Sequence, residues 1–247
     1  MNPTSRRSRI GRRSRVASFG VLTAVLLGAC GTTDRPVVLA ASSLTDIAPA
    51  IAAAADLDLD FVFAGSPTLI TQLANGIDAA VIITADNTQM TRAAASGRTG
   101  PPTTLARNTL VVAVAPGNPG RLQTLNDLGD PRHLIGRCAP AVPCGVLTDQ
   151  LASAANITIS ATTEEPGVRS LATKIGLGEL DAGLIYRTDA DNLGLTTIAD
   201  SQLQQLGGFT TDYQAAVIDQ SPAGQQLIDA FASPRGQQLL RDAGFSP

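Results

Sequence analysis

Residues 57–76 have the sequence LDLDFVFAGSPTLITQLANG, in which the spacing of the hydrophobic residues changes part-way. Every second residue over positions 57–63 is apolar, which is the pattern of a β-strand. Ser66 and Pro67 then stand where a helix begins, with the serine as a candidate N-cap and the proline at the first helical position. Gly76 stands where this helix would end. The stretch therefore predicts a strand that is followed directly by a helix.

The same order of strand and helix recurs along most of the chain. Most of the apolar runs are hydrophobic on both faces and are followed by segments with helical spacing, which is typical of parallel strands covered by helices. We therefore predict an α/β fold. The runs that predict strands lie at 36–43, 79–86, 109–115 and 213–221, and 182–190 predicts a strand followed by a loop.

The first thirty residues have the features of an export signal. Residues 1–15 contain several arginines and no acidic residue, and an apolar run follows at 16–27. The run is short for a permanent membrane span, so residues 1–29 are predicted to be a cleaved signal peptide. The segment LGAC at 27–30 resembles the lipobox of bacterial lipoproteins, which implies lipidation of Cys30. A plain secretory signal that ends in a cysteine is the alternative, and the sequence leaves the export route open.

The composition excludes some classes of ligand and disfavours others. The chain has 247 residues and a formal net charge of −3, whereas a nucleic-acid-binding protein needs a basic face. Aromatic residues make up only 3% of the chain and tryptophan is absent, which disfavours a site that stacks a sugar or a nucleobase. A soluble globular protein of one or two domains fits these values.

Two cysteines remain if Cys30 carries a lipid. Cys138 and Cys144 lie close together in CAPAVPC, and outside the cytoplasm such a pair favours a disulfide. A pair of free thiols is a second possibility. A metal site is a third, but the chain contains a single histidine, His133, and no second group of metal-ligating residues supports it. We expect no direct metal ligand among the residues of this protein.

Small or hydroxyl-bearing residues occupy several predicted turns between a strand and a helix. In open α/β sheets, ligands bind beyond the carboxyl ends of the strands, where helix N-termini present free N–H groups. Several such N-termini around one cleft would make an uncharged site for an anion. Each serine taken alone could instead be an ordinary helix cap. These turns are at Ser43, Ser66, Cys144–Gly145 and 166–168.

Segments from nearly the whole predicted mature chain resemble the periplasmic molybdate-binding proteins of ABC transporters. The most specific are AASSLTD (40–46), FAGSPTLITQLANG (63–76) and AGLIYRTDA (182–190). The resemblance implies a two-lobed periplasmic-binding-protein fold of type 2, with two mixed, mostly parallel sheets, flanking helices and a two-strand hinge. The implied first lobe comprises 35–113 plus 214–247, and the implied second lobe comprises 114–213.

The resemblance also implies a set of ligand-binding residues. Hydroxyl groups would come from two serines and a tyrosine, and backbone N–H groups would come from the first turns of two helices. The family has an alanine where this chain has Cys144 in VPCG, so a disulfide there could shift that donor and narrow the site. The implied residues are Ser43, Ser66, Cys144, Val168 and Tyr186.

The function implied is the high-affinity binding of molybdate, and of tungstate, outside the cytoplasm. The implied partners are a membrane-embedded ABC permease with its ATPase and, through Cys30, the outer face of the cell membrane. No nucleic acid, cofactor or second copy of the chain is expected. The same fold binding sulfate or a small organic acid is the alternative.

An enzyme is the rival class. A serine hydrolase would use Ser43 or Ser66 as its nucleophile, but the chain has no G-x-S-x-G motif and its only candidate base is His133. We therefore predict that the protein is not an enzyme.

Other polar residues near these motifs have simpler interpretations. Asp46 and Asp86 are expected to be cap or turn carboxylates, and Arg169 and Arg187 to be solvated at the surface. Tyr213 is expected to be a packing residue at the crossover between the lobes.

Overall fold

The computed structural model describes residues 35–246. The predicted signal peptide at 1–29 and the predicted lipidation site Cys30 lie outside the described residues. Within 35–246, no helix has the length and apolar character that a membrane crossing requires.

Strands and helices alternate as the sequence predicts over most of the chain. The strands are β1 (Val37–Ala41), β2 (Asp60–Ala64), β3 (Val81–Thr84), β4 (Thr103–Val114), β5 (Ile135–Cys138), β6 (Ala161–Glu165), β7 (Ala182–Tyr186), β8 (Thr196–Thr197) and β9 (Thr210–Val217). The α-helices are α1 (Ile47–Ala54), α2 (Ser66–Ala74), α3 (Asn87–Ala94), α4 (Pro143–Ala155), α5 (Val168–Gly176), α6 (Arg187–Asn192), α7 (Ser201–Gln205), α8 (Pro222–Ala232) and α9 (Pro234–Asp242). Short 3-10 turns lie at Ser42–Leu44 and Leu125–Gly129.

The strands form a mixed sheet in the order β2-β1-β3-β9-β4-β7-β5-β6, with β8 against β4. Neighbours are parallel towards both ends of this order and antiparallel at its centre, where β3, β9, β4 and β7 meet. The central strands depart from an all-parallel sheet because β9 inserts between β3 and β4 and runs antiparallel to both, and because β4 also runs antiparallel to β7. The mixed α/β architecture of the predicted fold class is confirmed.

The long strand β4 joins the two halves of the molecule. Its residues 103–109 pair with β9, and its residues 110–114 pair with β7. One cluster of buried apolar residues comes from 110–195, and two further clusters come from 38–106 and 213–245. These separate cores are the two lobes of the predicted fold, with β4 and β9 between them. The boundaries predicted at 113/114 and 213/214 stay predictions.

The topology places the starts of several helices around one cleft. In the first lobe, β1 and β2 run parallel and end together, with Ala41 opposite Ala64. The turn at Ser42–Leu44 follows β1, and α2 follows β2. In the second lobe, α4, α5 and α6 follow the parallel strands β5, β6 and β7. This is the arrangement in which open α/β sheets bind their ligands.

Candidate functional site

The residues singled out in the sequence lie together in the structure. They line one narrow cleft between the lobes. Ala85, Gly65 and Ser42 also line it. None of the described residues that line this cleft is acidic or basic. The predicted residues that line it are Ser43, Ser66, Cys144, Val168 and Tyr186.

Three of these residues stand in the first turn of a helix. Ser66 is the first residue of α2, Val168 is the first residue of α5, and Cys144 is the second residue of α4. The first N–H groups of a helix have no acceptor one turn earlier, and the helix dipole adds a partial positive charge there. The cleft therefore faces three positively polarised helix ends, which come from both lobes.

The two serine hydroxyls do not cap helices, so that interpretation is wrong for both. Residues Ala41 and Gly65 hold the cap positions, with no side-chain cap bond at either. The Ser43 hydroxyl bonds Tyr213 Oη at 2.6 Å. The Ser66 hydroxyl accepts the N–H of Ala85 at 3.2 Å. Because Ser66 Oγ is an acceptor in this bond, its own hydrogen stays available to a ligand.

Tyr186 places a phenol group against the cleft. The residue is 1% exposed, and its hydroxyl has no hydrogen-bond partner in the part of the chain that the structure describes. Burial raises the pKa of this phenol well above its ordinary value, so the group stays neutral and keeps its proton. A buried polar group without a partner costs roughly 1–3 kcal/mol. A ligand acceptor at this point would remove that cost.

An ion-pair network stands at the edge of the cleft. Arg169 Nη1 lies 2.7 Å from Asp46 Oδ2 and 3.7 Å from Asp189 Oδ1. Asn192 also donates to Asp46, at 3.0 Å. Asp46 makes no cap bond on α1, and the Arg169 side chain is only 26% exposed. Asp46 holds the N-cap position of α1 as predicted, although its carboxylate bonds Arg169 and not the helix, and Asp86 caps α3 by accepting the N–H of Gln89. The prediction of a solvated surface role for Arg169 is wrong, because most of its side chain is covered and its guanidinium pairs with Asp46.

Asp189 is a buried carboxylate that the sequence interpretation missed. It is 0% exposed, and neither carboxylate oxygen has a hydrogen-bond partner in the described residues. Burial raises its pKa to about 7, although the nearby Arg169 cation opposes that shift. The only signal in the sequence was its position three residues after Tyr186 in YRTDA.

Cys138 and Cys144 form a disulfide in the structure, with 5.8 Å between their Cα atoms. Cys138 ends β5, and Cys144 stands in the first turn of α4. The covalent link therefore fixes the turn at the start of α4, where Cys144 lines the cleft.

The two lobes touch across the cleft. Gln89 of the first lobe donates to the carbonyl oxygen of Ala141 in the second at 2.9 Å. The pair of Asp46 and Arg169 crosses in the same way. A Cβ placed on Gly65 would lie 2.2 Å from the carbonyl oxygen of Pro166, so the backbones of the two lobes are in close approach there. The structure thus has the geometry of a closed cleft.

Comparison with known proteins assigns the chain to a family. Residues 37–246 match the family model of the bacterial extracellular solute-binding proteins. The chain belongs to this family. It is 33% identical over 194 residues to the molybdate-binding protein ModA of Mycobacterium tuberculosis strain H37Rv, an alignment that covers 77% of this chain and 74% of that protein. This similarity makes it a ModA-type member of the solute-binding family, whose members are transport proteins and not enzymes.

Solved structures agree on the fold. The periplasmic molybdate-binding protein of Azotobacter vinelandii superposes with a TM-score of 0.69 at 16% identity, covering 86% of this chain and 99% of that one. The sulfate-binding protein SubI of Mycobacterium tuberculosis H37Rv superposes with a TM-score of 0.68 at 16% identity, covering 86% of each chain. At such identities the likeness extends to the two-lobed fold alone.

Proposed function

We propose that this solute-binding protein takes up molybdate, and also tungstate, and delivers the anion to an ABC permease. The observation that carries the proposal is the uncharged donor set, above all the buried hydroxyl of Tyr186, which has no hydrogen-bond partner among residues 35–246. The similarity to ModA supports the choice of oxyanion. Ser43, Ser66 and Tyr186 supply hydroxyl donors, and the first turns of α4 and α5 supply backbone donors.

A donor set of this kind selects among oxyanions. Molybdate and tungstate are fully deprotonated near neutral pH, so each of their oxygens can accept hydrogen bonds. A phosphate that keeps a proton must donate one, and a cleft lined by donors offers it no acceptor. Sulfate has no proton but is smaller, so a cleft shaped for the longer metal–oxygen bonds would leave it with longer and weaker hydrogen bonds.

The number of donors is sufficient for tight binding. A hydrogen bond to a charged partner contributes roughly 1.5–3 kcal/mol. Five such bonds at the upper end of this range sum to about 15 kcal/mol. After an association cost of about 7 kcal/mol, this leaves roughly −8 kcal/mol, which corresponds to a dissociation constant of about 1 μM.

The proposed cellular setting follows from the export signal and the family. We propose that the protein is exported, lipid-anchored through Cys30 at the outer face of the membrane, and monomeric. Closure of the lobes would form the surface that the permease and its ATPase recognise. No further cofactor is part of the proposal.

A panel of anions tests the choice of ligand. Molybdate and tungstate should each raise the thermal unfolding temperature of the purified protein, because a ligand that binds only the folded state stabilises it. Sulfate and phosphate should raise it far less at the same concentration. Calorimetric titration of the same four anions then gives the affinities. Equal shifts with all four anions would rule out the proposed selectivity.

Substitution of the hydroxyl donors tests the site. Ser66→Ala, Ser43→Ala and Tyr186→Phe should each weaken molybdate binding by roughly 1–3 kcal/mol, because each removes one donor to the anion. Without ligand, Tyr186→Phe should raise the unfolding temperature, because it removes a buried hydroxyl that has no partner among the described residues. Ser43→Ala should lower it, because the Tyr213 hydroxyl loses its bond to Ser43. Ser42→Ala tests which serine of the turn is the donor, since Ser42 is only partly buried and also lines the cleft. A large loss of molybdate affinity in the Ser42 variant and none in the Ser43 variant would show that Ser42, and not Ser43, donates to the anion.

Sulfate is the second candidate, and the disulfide favours it. Because Cys144 carries a disulfide where the molybdate-binding family resembled by the sequence has an alanine, the cleft could be narrower than in that family. A fold neighbour, SubI, is named as a sulfate-binding protein. In the anion panel, this candidate predicts a larger stabilisation by sulfate than by molybdate.

A further inference from the structure

A chain of buried polar side chains lies behind the cleft. It joins Asn108 on β4, Tyr213 on β9 and Ser43 in the turn after β1. These residues are 2%, 0% and 3% exposed, respectively. Asn108 Nδ2 lies 3.4 Å from Tyr213 Oη, and Tyr213 Oη lies 2.6 Å from Ser43 Oγ. Either hydroxyl of the last pair could donate the hydrogen of that bond, so the surroundings must set its direction.

A backbone N–H group fixes the orientation of the Asn108 amide, and therefore the direction of its hydrogen bonds. The N–H of Thr109 donates to Asn108 Oδ1 at 2.9 Å. A backbone N–H can only donate, so the atom it meets must be the amide oxygen, and the other end of the amide is the NH₂ group. That NH₂ group donates to Thr188 Oγ1 at 2.7 Å and also points to Tyr213 Oη.

The orientation of the Asn108 amide then fixes which way the Tyr213 hydroxyl donates. The Asn108 amide nitrogen has no acceptor capacity, so the oxygen of Tyr213 accepts from it and its hydrogen must go elsewhere. Within the described residues, the one other hydrogen-bond partner of this hydroxyl is Ser43 Oγ. Burial raises the pKa of the Tyr213 phenol, so the phenol keeps its proton at any ordinary pH.

We propose that Tyr213 is a positioning residue for anion binding, which donates to Ser43 so that the hydrogen of Ser43 points into the cleft. In the opposite arrangement, Ser43 would donate to Tyr213 and would turn only lone pairs towards an anion. That arrangement would leave the Tyr213 hydrogen without an acceptor among the described residues, because the Asn108 NH₂ group that also faces the hydroxyl can only donate. The inference deepens the proposed function and rests on it. Asn108 and Tyr213 lie behind Ser43, and through their hydrogen bonds they make Ser43 a donor to the ligand.

A double-mutant cycle separates this role from packing. Tyr213→Phe keeps the ring, which packs edge-on against Tyr186 and Phe245 at 6.2 and 5.5 Å between ring centres. We expect this variant to bind molybdate about tenfold more weakly in calorimetric titration, which corresponds to roughly 1.4 kcal/mol. In a Ser43→Ala background the same substitution should change the affinity less than about twofold, because the hydroxyl that Tyr213 orients is already gone. Equal losses in both backgrounds would overturn the proposal.

Tyr186→Phe is the matched control for the cycle. Tyr186 also presents a phenol, but its hydroxyl has no partner among the described residues and does not act through Ser43. Its removal should therefore still weaken molybdate binding in the Ser43→Ala background. If Tyr186→Phe, like Tyr213→Phe, had no effect on affinity in the Ser43→Ala background, then Ser43→Ala would disable the whole cleft. The double-mutant cycle would then no longer support the proposed donation from Tyr213 to Ser43.

A measurement without ligand tests the hydrogen bond from Tyr213 to Ser43 separately from the choice of anion. The chain has two tyrosines, so the hydroxyl protons can be assigned by NMR with the two phenylalanine variants. The Tyr213 hydroxyl proton should be protected from exchange in the wild type and exposed to it in Ser43→Ala, whereas the Tyr186 proton should be unchanged. A Tyr213 hydroxyl proton that stays equally protected from exchange in Ser43→Ala would overturn the proposed donation from Tyr213 to Ser43. A protein that binds no anion but shows the expected exchange would refute the proposed function and leave the direction of the bond established.

Discussion

Replacement of Gly65 by alanine should weaken molybdate binding at least about 100-fold, which corresponds to roughly 2.7 kcal/mol, and leave the protein folded. The new methyl group would lie 2.2 Å from the carbonyl oxygen of Pro166 and 3.1 Å from Val142 Cγ1. Gly65 belongs to the first lobe and both of these residues belong to the second, so the methyl group would hold the cleft open. Ser66 and Val168 could then no longer face the same anion.

The fold itself should tolerate this change. The backbone angles of Gly65 are φ −63° and ψ 141°, which suit alanine as well as glycine. Gly100→Ala is the matched control, because a Cβ there meets only the carbonyl oxygen of Val217, at 3.8 Å. Calorimetric titration gives the affinity, and thermal unfolding without ligand gives the stability. Wild-type affinity in the Gly65 variant would show that binding does not require the observed closure.

The stability of the protein should contain a contribution from Asp189 that falls as the pH rises from about 4 to about 7. The pKa of this carboxyl group is about 7 in the folded protein and about 3.8 in the unfolded chain, so the folded state binds the proton more tightly. The contribution is full below the unfolded value and is lost as the pH rises through the folded value. One pKa unit corresponds to about 1.4 kcal/mol, so the loss is at most about 4 kcal/mol.

Asp189→Asn should remove this pH dependence and stabilise the protein at pH 8. Asparagine carries no charge that burial penalises, and Arg169 keeps its partner Asp46. Urea unfolding at pH 4.5, 6 and 8 measures the difference between variant and wild type. Asp127 and Glu165 have lowered pKa values, from backbone hydrogen bonds and from Lys174 respectively, so they contribute the opposite slope to both proteins.

The exposed Asp191 on the same helix provides the control. Asp191→Asn removes the same charge at the surface, where a carboxylate keeps its hydration, and should leave the pH dependence of the wild type in place. If the difference between Asp189→Asn and the wild type were constant over this pH range, the buried carboxyl group would not be titrating there.

The alternation of strands and helices could be predicted from short stretches of sequence. The apolar spacing over 57–63, the proline at 67 and the glycine at 76 act within a few residues, so they indicate β2 and α2 without knowledge of the rest of the chain. The direction of the central strands could not be predicted in this way. It depends on β9, which pairs with strands formed more than a hundred residues earlier.

The candidate site was predictable only as a set. Ser43 and Ser66 each had an ordinary interpretation as helix caps, and the resemblance of several separate motifs was needed to group them with Cys144, Val168 and Tyr186. The structure brings this set to one cleft. That these residues bind an anion remains the proposal that the substitutions above test.

The sequence by itself predicted the local elements of the fold and, through resemblance, the set of residues that line the cleft. The export signal stays a prediction. Only the tertiary structure showed which polar side chains contact these cleft residues from the side away from the cleft. Ser43 and Tyr213 are separated by 170 positions, and the contact between Asp46 and Arg169 spans 123. Hydrophobic periodicity records which face of a strand or helix is buried, but it does not record which polar group meets another inside the fold. The partner of Ser43 and the burial of Asp189 follow from the packing of distant elements, so they became visible only in three dimensions.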